Sequence, residues 1–213
     1  MDILGKLFGS ESKVKIMRLF LFNPETPFGR EDVAERARVG LEVARAELAL
    51  LRRMRLVKNK SFSRRVVRTK GKARKFVNKK VSGFVLNVNF PYLSELQRLL
   101  IDSSLLKGDQ LLRKLSRTGK LKLVITSGVF IADLDSRVDI LVVGDHLRRS
   151  AVEHAIRGIE AEMGKELRYA AFETSEFNYR LGMYDKLIRD ILDYPHTIVI
   201  DRLGLPPLAP EGR

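Results

Sequence analysis

The chain has 213 residues, of which 45% are hydrophobic, and it contains no cysteine. This length is enough for two domains of about 100 residues, each with a core of its own. The lack of cysteine excludes disulfides, thiolate zinc sites and cysteine nucleophiles. Because the sequence has no run of about 18 apolar residues and no basic-then-apolar leader, we expect a cytoplasmic protein without a membrane segment.

The distribution of charge is the most informative feature of the sequence. The chain carries 40 Lys and Arg against 26 Asp and Glu, a formal net charge of +14. Fourteen of the basic residues lie between Leu48 and Ser94, a stretch without any acidic residue, so the whole net charge is local. This distribution is typical of a surface that binds a polyanion. The alternative is a solvated basic face or a flexible charged loop, but the interleaved valines and phenylalanines favour a folded hairpin.

Three helices are predicted in the first half of the chain. Ser10 offers an N-cap for the first helix, which Asn23-Pro24 ends. Acidic residues in the first turn favour a second, short helix over residues 30–39. We expect Gly40 to permit the sharp turn that precedes a third helix, from Leu41 to about Met54.

The third predicted helix has one apolar face and one face suited to DNA. Glu42, Arg45, Ala49 and Arg52 share the face that points away from the core. A small residue between two arginines allows a helix to approach a groove closely. The arginines can donate to guanine or to phosphate.

A β-hairpin is predicted to follow this helix. Stretches of extended character, Phe62–Arg68 and Phe76-Val77, flank a turn signal at Lys70-Gly71. The hairpin therefore has a basic tip, from Thr69 to Lys75.

The order of helix, helix, glycine turn, helix and basic hairpin resembles the winged helix-turn-helix domains of small prokaryotic transcriptional regulators. Arg30–Ala34 looks like the start of the second helix of that family, and Glu47–Val57 like the end of its recognition helix. The resemblance implies binding of double-stranded DNA, with Arg45 and Arg52 at base edges and the wing on phosphates. The implied DNA-binding residues are Arg45, Arg52, Arg53, Arg64, Arg65, Arg68, Lys70, Lys72, Arg74 and Lys75. Some domains of this kind instead serve only as protein–protein modules.

The second half of the chain alternates between helix and strand. An apolar run over 138–145 predicts a buried strand, and the other strands are predicted at 121–126, 166–172 and 196–200. Helices are predicted from about Tyr92 to Ile101, then through about Leu115, and over 149–163, 175–181 and 184–192.

This half resembles the minimal nucleotidyltransferase domains related to polymerase β. Those domains have a strand, a Gly-Ser turn and a second strand whose Asp-x-Asp pair holds two metal ions. In this chain the turn reads Ser127-Gly128-Val129, and the pair is replaced by Arg137 and Asp139. The later strand, 167–172, has no carboxylate in its middle.

These departures predict that catalysis is lost, because one carboxylate beside an arginine cannot hold two divalent ions. We therefore expect no catalytic residue, no metal site and no cofactor. Substitution by Asp133 or Asp135 from the loop is the alternative. A vestigial nucleotide site is expected at Ser127, Gly128, Arg137 and Asp139, although an Asp-Arg pair at a strand edge is equally a structural salt bridge.

Together these features predict an α+β chain made of two domains. The expected parts are a winged helix-turn-helix (1–88), a helical linker (89–118), a small α/β nucleotidyltransferase-like domain with a mixed sheet (119–204) and a disordered tail (205–213). We expect a DNA-binding transcriptional regulator, a homodimer whose second domain senses a nucleotide or other anionic ligand, dimerises or recruits a partner. The alternatives are an active metal-dependent nucleotidyltransferase and an antitoxin-like or RNA-binding module.

Overall fold

The computed structural model of the protein describes residues 3–70, 73–102, 108–133 and 135–205; for residues 66–70, 73–75 and 102 it describes the backbone alone. Over these ranges the chain is α+β, as predicted, with a two-stranded sheet and a mixed four-stranded sheet. It divides into two compact units. Unit 1 contains Met1–Ser104 and Ala161–Lys165, and unit 2 contains Leu105–Glu160 and Glu166–Arg213. The first division lies inside the segment 89–118 that the sequence presents as a linker.

Four helices begin unit 1, and three of them match the predicted ones. Ser10 caps the second helix, because its side chain accepts a hydrogen bond from the backbone of Lys13 at 3.0 Å. The fourth helix buries Ala44, Leu48 and Leu51, the apolar face expected from their spacing. The helices are α1 (Ile3–Leu7), α2 (Glu11–Phe22), α3 (Arg30–Arg36) and α4 (Leu41–Arg53).

The turn between α3 and α4 differs from the expectation. Gly40 has φ −62° and ψ 147°, a conformation open to any residue, and it serves as the N-cap of α4. The left-handed residue of this connection is Arg38, with φ 52°. The prediction that Gly40 permits the sharp turn is therefore wrong, because the unusual backbone lies two residues earlier.

A long hairpin follows α4, as predicted. Its strands, β1 (Val57–Lys70) and β2 (Ala73–Leu86), pair antiparallel from Val57↔Leu86 out to Lys70↔Ala73. Each strand has 14 residues, which corresponds to about 45 Å of extended chain. Gly71 and Lys72, the predicted turn, lie outside the described residues.

The base of the hairpin is attached to the connection between α2 and α3. Phe28 and Phe84 exchange two backbone hydrogen bonds of 2.9 and 2.8 Å. Next to this bridge Gly83 lies against the carbonyl of Phe28, where a side chain would have no room.

Unit 1 is completed by segments from further along the chain. In place of the continuous helix predicted from Tyr92 to Ile101, the chain forms α5 (Leu93–Gln97) followed by a π-helical turn (Arg98–Asp102). The buried Arg18 donates to the carbonyls of Leu100 (3.0 Å) and Glu162 (3.1 Å). These bonds attach the π-helical turn and the segment Ala161–Lys165 to α2.

Unit 2 contains the mixed sheet, in the order β5-β4-β3-β6. The parallel pair is β4 with β5, and the other two pairings are antiparallel. β4 is buried from Ile140 to Gly144, in agreement with its apolar sequence. The elements are α6 (Gly108–Leu115), β3 (Lys120–Thr126), a 3₁₀ turn (Gly128–Ile131), β4 (Ile140–Asp145), α7 (Arg149–Met163, whose last residues belong to unit 1), β5 (Tyr169–Glu173), α8 (Thr174–Gly182), α9 (Lys186–Asp193) and β6 (Thr197–Asp201).

No helix in the described ranges combines the length and the apolar character needed to cross a membrane. The tail predicted to be disordered lies outside the described residues, apart from Leu205.

Candidate functional site

The outward face of α4 contains the residues that the sequence assigns to it. Glu42, Arg45, Ala49 and Arg52 are all exposed. The guanidinium of Arg45 contacts the carboxylate of Glu42 at 2.6 Å, and both side chains are open to water. Because an exposed pair three residues apart in a helix contributes only about 0.5 kcal/mol, Arg45 can exchange Glu42 for another anion at little cost.

A group of exposed cations extends from the end of α4 along both strands of the hairpin. We call it the basic surface. Within the described part of the chain none of its members forms an ion pair, so their charges are available to a ligand. Its members are Arg52, Arg53, Arg55, Lys58, Lys60, Lys79 and Lys80.

Five of these cations were not among the predicted DNA-binding residues. Lys58 and Lys60 project from the same face of β1, because alternate residues of a strand share a face. Lys79 and Lys80 lie on β2, opposite Arg64 and Ser63. The period-two alternation of the predicted strand was the signal that would have placed Lys58 and Lys60 on one face.

Two of the predicted wing residues have partners within the protein. Arg64 forms an ion pair of 2.8 Å with Asp32 of α3. The guanidinium of Arg65 lies 4.4 Å from the ring centre of Phe76, a residue that is 59% exposed. This is the geometry of a cation–π contact, and it leaves the aromatic face and the charge at the hairpin surface.

Most of the remaining predicted wing residues lie toward the tip of the hairpin. The backbones of Arg68, Lys70, Arg74 and Lys75 lie in the ladder, with Arg68 opposite Lys75, and their side chains are outside the description. Lys72 lies outside the described residues altogether.

In unit 2 the carboxylate of Asp139 is buried and surrounded by donors. Its Oδ1 accepts the backbone N–H of Val129 at 2.9 Å, and its Oδ2 accepts the backbone N–H of Arg168 at 2.8 Å. The guanidinium of Arg168 adds contacts of 3.4 and 3.5 Å to the two oxygens. The Asp139 side chain is only 3% exposed. Both oxygens are therefore committed to holding β4, β5 and the 3₁₀ turn together.

Of the other three residues of the predicted nucleotide site, Gly128 lies directly against this carboxylate, whereas the side chains of Ser127 and Arg137 contact other groups. Gly128 has φ 55°, and a Cβ there would overlap the Oδ1 of Asp139, so only glycine fits. The Ser127 hydroxyl bonds to Ser136 and to the carbonyl of Val138, each at 2.6 Å. Arg137 is 57% exposed and contacts Asp190 of α9 at 3.1 Å, without hydrogen-bond geometry at the Asp190 oxygen.

This arrangement is a structural network. No three His, Asp or Glu side chains of the described residues meet in a way that would hold a metal ion, and Asp139 would have to give up its donors to bind one. Of the four predicted residues, Arg137 is the one with an exposed cationic side chain.

Comparisons of the chain with models of protein families, with curated proteins and with solved structures gave no match.

Proposed function

We propose that the protein is a DNA-binding transcriptional regulator that holds double-stranded DNA against α4 and the hairpin of unit 1. The observation that supports this proposal best is the basic surface: seven exposed cations without ion pairs within the described part, on a segment that contains no acidic residue. Cations that are not paired with an acid can neutralise phosphates, and the release of counterions from the duplex then drives binding.

The order and packing of elements in unit 1 also support duplex DNA as the polyanion. The major groove admits the diameter of an α-helix, and α4 has arginines and an alanine on its outward face. Each strand of the adjoining hairpin is about 45 Å long, enough to follow a stretch of the phosphate backbone. We propose a winged helix-turn-helix for this unit on these grounds.

The test is a binding titration of the full chain with a labelled duplex of about 20 base pairs at several salt concentrations. Replacing Lys79 and Lys80 together by Gln removes two charges from the hairpin. We expect the slope of log affinity against log salt to fall by about 1.8, because each lost phosphate contact removes about 0.9.

The matched control is the pair Arg157→Gln and Lys186→Gln, two exposed cations of unit 2. This variant has the same net charge but keeps the basic surface, so we expect the slope of the wild type. A protein that shows no duplex binding at about 50 mM salt contradicts the proposal.

We further propose that unit 2 is a catalytically silent, nucleotidyltransferase-like domain that binds an anionic ligand, a partner or a second copy of the chain. The occupied carboxylate of Asp139 and the arginine at position 137 support this proposal. Magnesium-dependent transfer of nucleotide by the purified protein would contradict it. Sedimentation tests the expected homodimer, and fractionation of cells tests the expected cytoplasmic location.

A further inference from the structure

One carboxylate of α3 contacts two different parts of unit 1. Asp32 is the third residue of α3, and its Oδ2 accepts the backbone N–H of Gly29 at 2.9 Å. Its Oδ1 contacts the guanidinium of Arg64 on β1 at 2.8 Å. The Asp32 side chain is 20% exposed, so this pair is better shielded from water than the Arg45–Glu42 pair of α4.

The contact lies well out along the hairpin. The backbone bridge between Phe28 and Phe84 attaches the hairpin at the level of Asn59, which faces Phe84 in the ladder. Arg64 is five residues further along β1, about 16 Å from that level. A two-stranded ribbon has little stability of its own, so an attachment at this distance limits its bending relative to α3.

We propose that the Asp32–Arg64 ion pair is a positioning device, which sets the hairpin against α3 and keeps Arg64 from contacting phosphate. The inference rests on the proposed binding of DNA by unit 1. It separates Arg64 from the cations around it: Lys79 lies directly opposite Arg64 in the ladder, is exposed, and forms no ion pair in the described part of the protein.

Lys79 is therefore a matched control for Arg64, since both variants remove one positive charge at the same level of the hairpin. In duplex titrations of the full chain, Lys79→Gln lowers the salt slope by about 0.9. Arg64→Gln leaves the slope unchanged and lowers affinity about three- to fivefold at every salt concentration, the range expected from loss of a partly exposed ion pair. Arg64→Lys, which keeps the charge, recovers most of the affinity.

Asp32→Asn gives the sharpest comparison, because the amide still offers an oxygen to Gly29 but loses the charge that holds Arg64. If the pair positions the hairpin, Asp32→Asn weakens binding about three- to fivefold although it removes a negative charge. The double variant Asp32→Asn, Arg64→Gln is then no weaker than either single variant. Thermal denaturation of each variant establishes that unit 1 remains folded.

Two results would overturn the proposal: tighter binding by Asp32→Asn, or a loss of slope in Arg64→Gln equal to that in Lys79→Gln. The first result would show that the pair does not position the hairpin for binding, and the second would make Arg64 a phosphate contact. Amide hydrogen exchange without DNA supplies a readout independent of binding. It is expected to be faster at Val77 and Val81, whose N–H groups face β1 in the ladder, in Asp32→Asn and in Arg64→Gln, and unchanged in Lys79→Gln. A wild type that fails to bind duplex contradicts the proposed function, and the exchange rates alone then decide whether the pair positions the hairpin.

Discussion

Removal of the Asp139 carboxylate is expected to destabilise unit 2 strongly. The carboxylate is 3% exposed and accepts the backbone N–H groups of Val129 and Arg168. In Asp139→Ala both donors lose their acceptor in a place that water does not reach. In Asp139→Asn one oxygen remains, and the new NH₂ group faces a second N–H donor.

The size of the effect follows from these two donors. A buried donor left without a partner costs about 1–3 kcal/mol, so Asp139→Ala is expected to lower the free energy of unfolding by about 4 kcal/mol. The ion pair with Arg168 adds little, because that guanidinium is 51% exposed and regains water when the carboxylate is lost. Asp139→Asn is expected to cost about 2 kcal/mol, since one of the two acceptors survives.

Tyrosine fluorescence provides an assay that is weighted toward unit 2. The chain has no tryptophan, and four of its five tyrosines, Tyr169, Tyr179, Tyr184 and Tyr194, belong to unit 2. Urea titrations of the wild type and the variants give the free energies of unfolding.

The control is Asp135→Ala, which removes an exposed carboxylate close to Asp139 in the sequence and is expected to change stability by less than about 0.5 kcal/mol. If the free energy of unfolding of Asp139→Ala lies within about 1 kcal/mol of the wild-type value, the carboxylate is not a structural acceptor and the reasoning is refuted. The same measurement shows whether Asp139→Asn is folded well enough to serve in a nucleotidyl-transfer assay.

Three further results are expected. Gly83→Ala should destabilise unit 1 by about 1–3 kcal/mol, because the added methyl group overlaps the carbonyl of Phe28; an unchanged urea midpoint would contradict this packing. Ser10→Ala should cost about 1 kcal/mol by loss of the cap of α2, measured in the same way, and a neutral result would show that the cap is dispensable. The hydroxyl of Thr174 donates to Asp145 at 2.6 Å and lowers the pKa of this carboxyl below its ordinary 3.8. The stabilisation by this hydrogen bond is therefore complete above pH 3.8 and is lost as the pH falls through the lowered pKa. The difference in free energy of unfolding between the wild type and Thr174→Val should then disappear in strong acid. A difference that stays constant down to about pH 2 would exclude the carboxylate as its source.

Local patterns in the sequence were sufficient to locate most helices and strands. α7 begins and ends at the predicted residues, and the apolar run that forms β4 was recognised as a buried strand. The hairpin was also predicted, because β-branched and aromatic residues flank a glycine turn signal. These features depend on neighbours one to four residues apart, and such neighbours are visible in the sequence itself.

The concentration of charge was likewise a property of the sequence alone. Which cations remain available was not, because that depends on acidic partners brought together by folding. Arg64 meets Asp32 of another element, whereas Lys79 on the facing strand meets no acid within the described part. A count of charges assigns the two residues the same role, and the structure separates them.

Tertiary structure also decided the role of Asp139 and the make-up of unit 1. The sequence placed Asp139 beside Arg137, but its partner is Arg168, 29 residues away, and Arg137 contacts Asp190 instead. Ala161–Lys165 joins unit 1 because Arg18 and Asn23 bond to the carbonyls of Glu162 and Gly164. A buried polar group takes whichever partner the packed chain brings within about 3 Å, so such pairings arise only when elements distant in sequence come together.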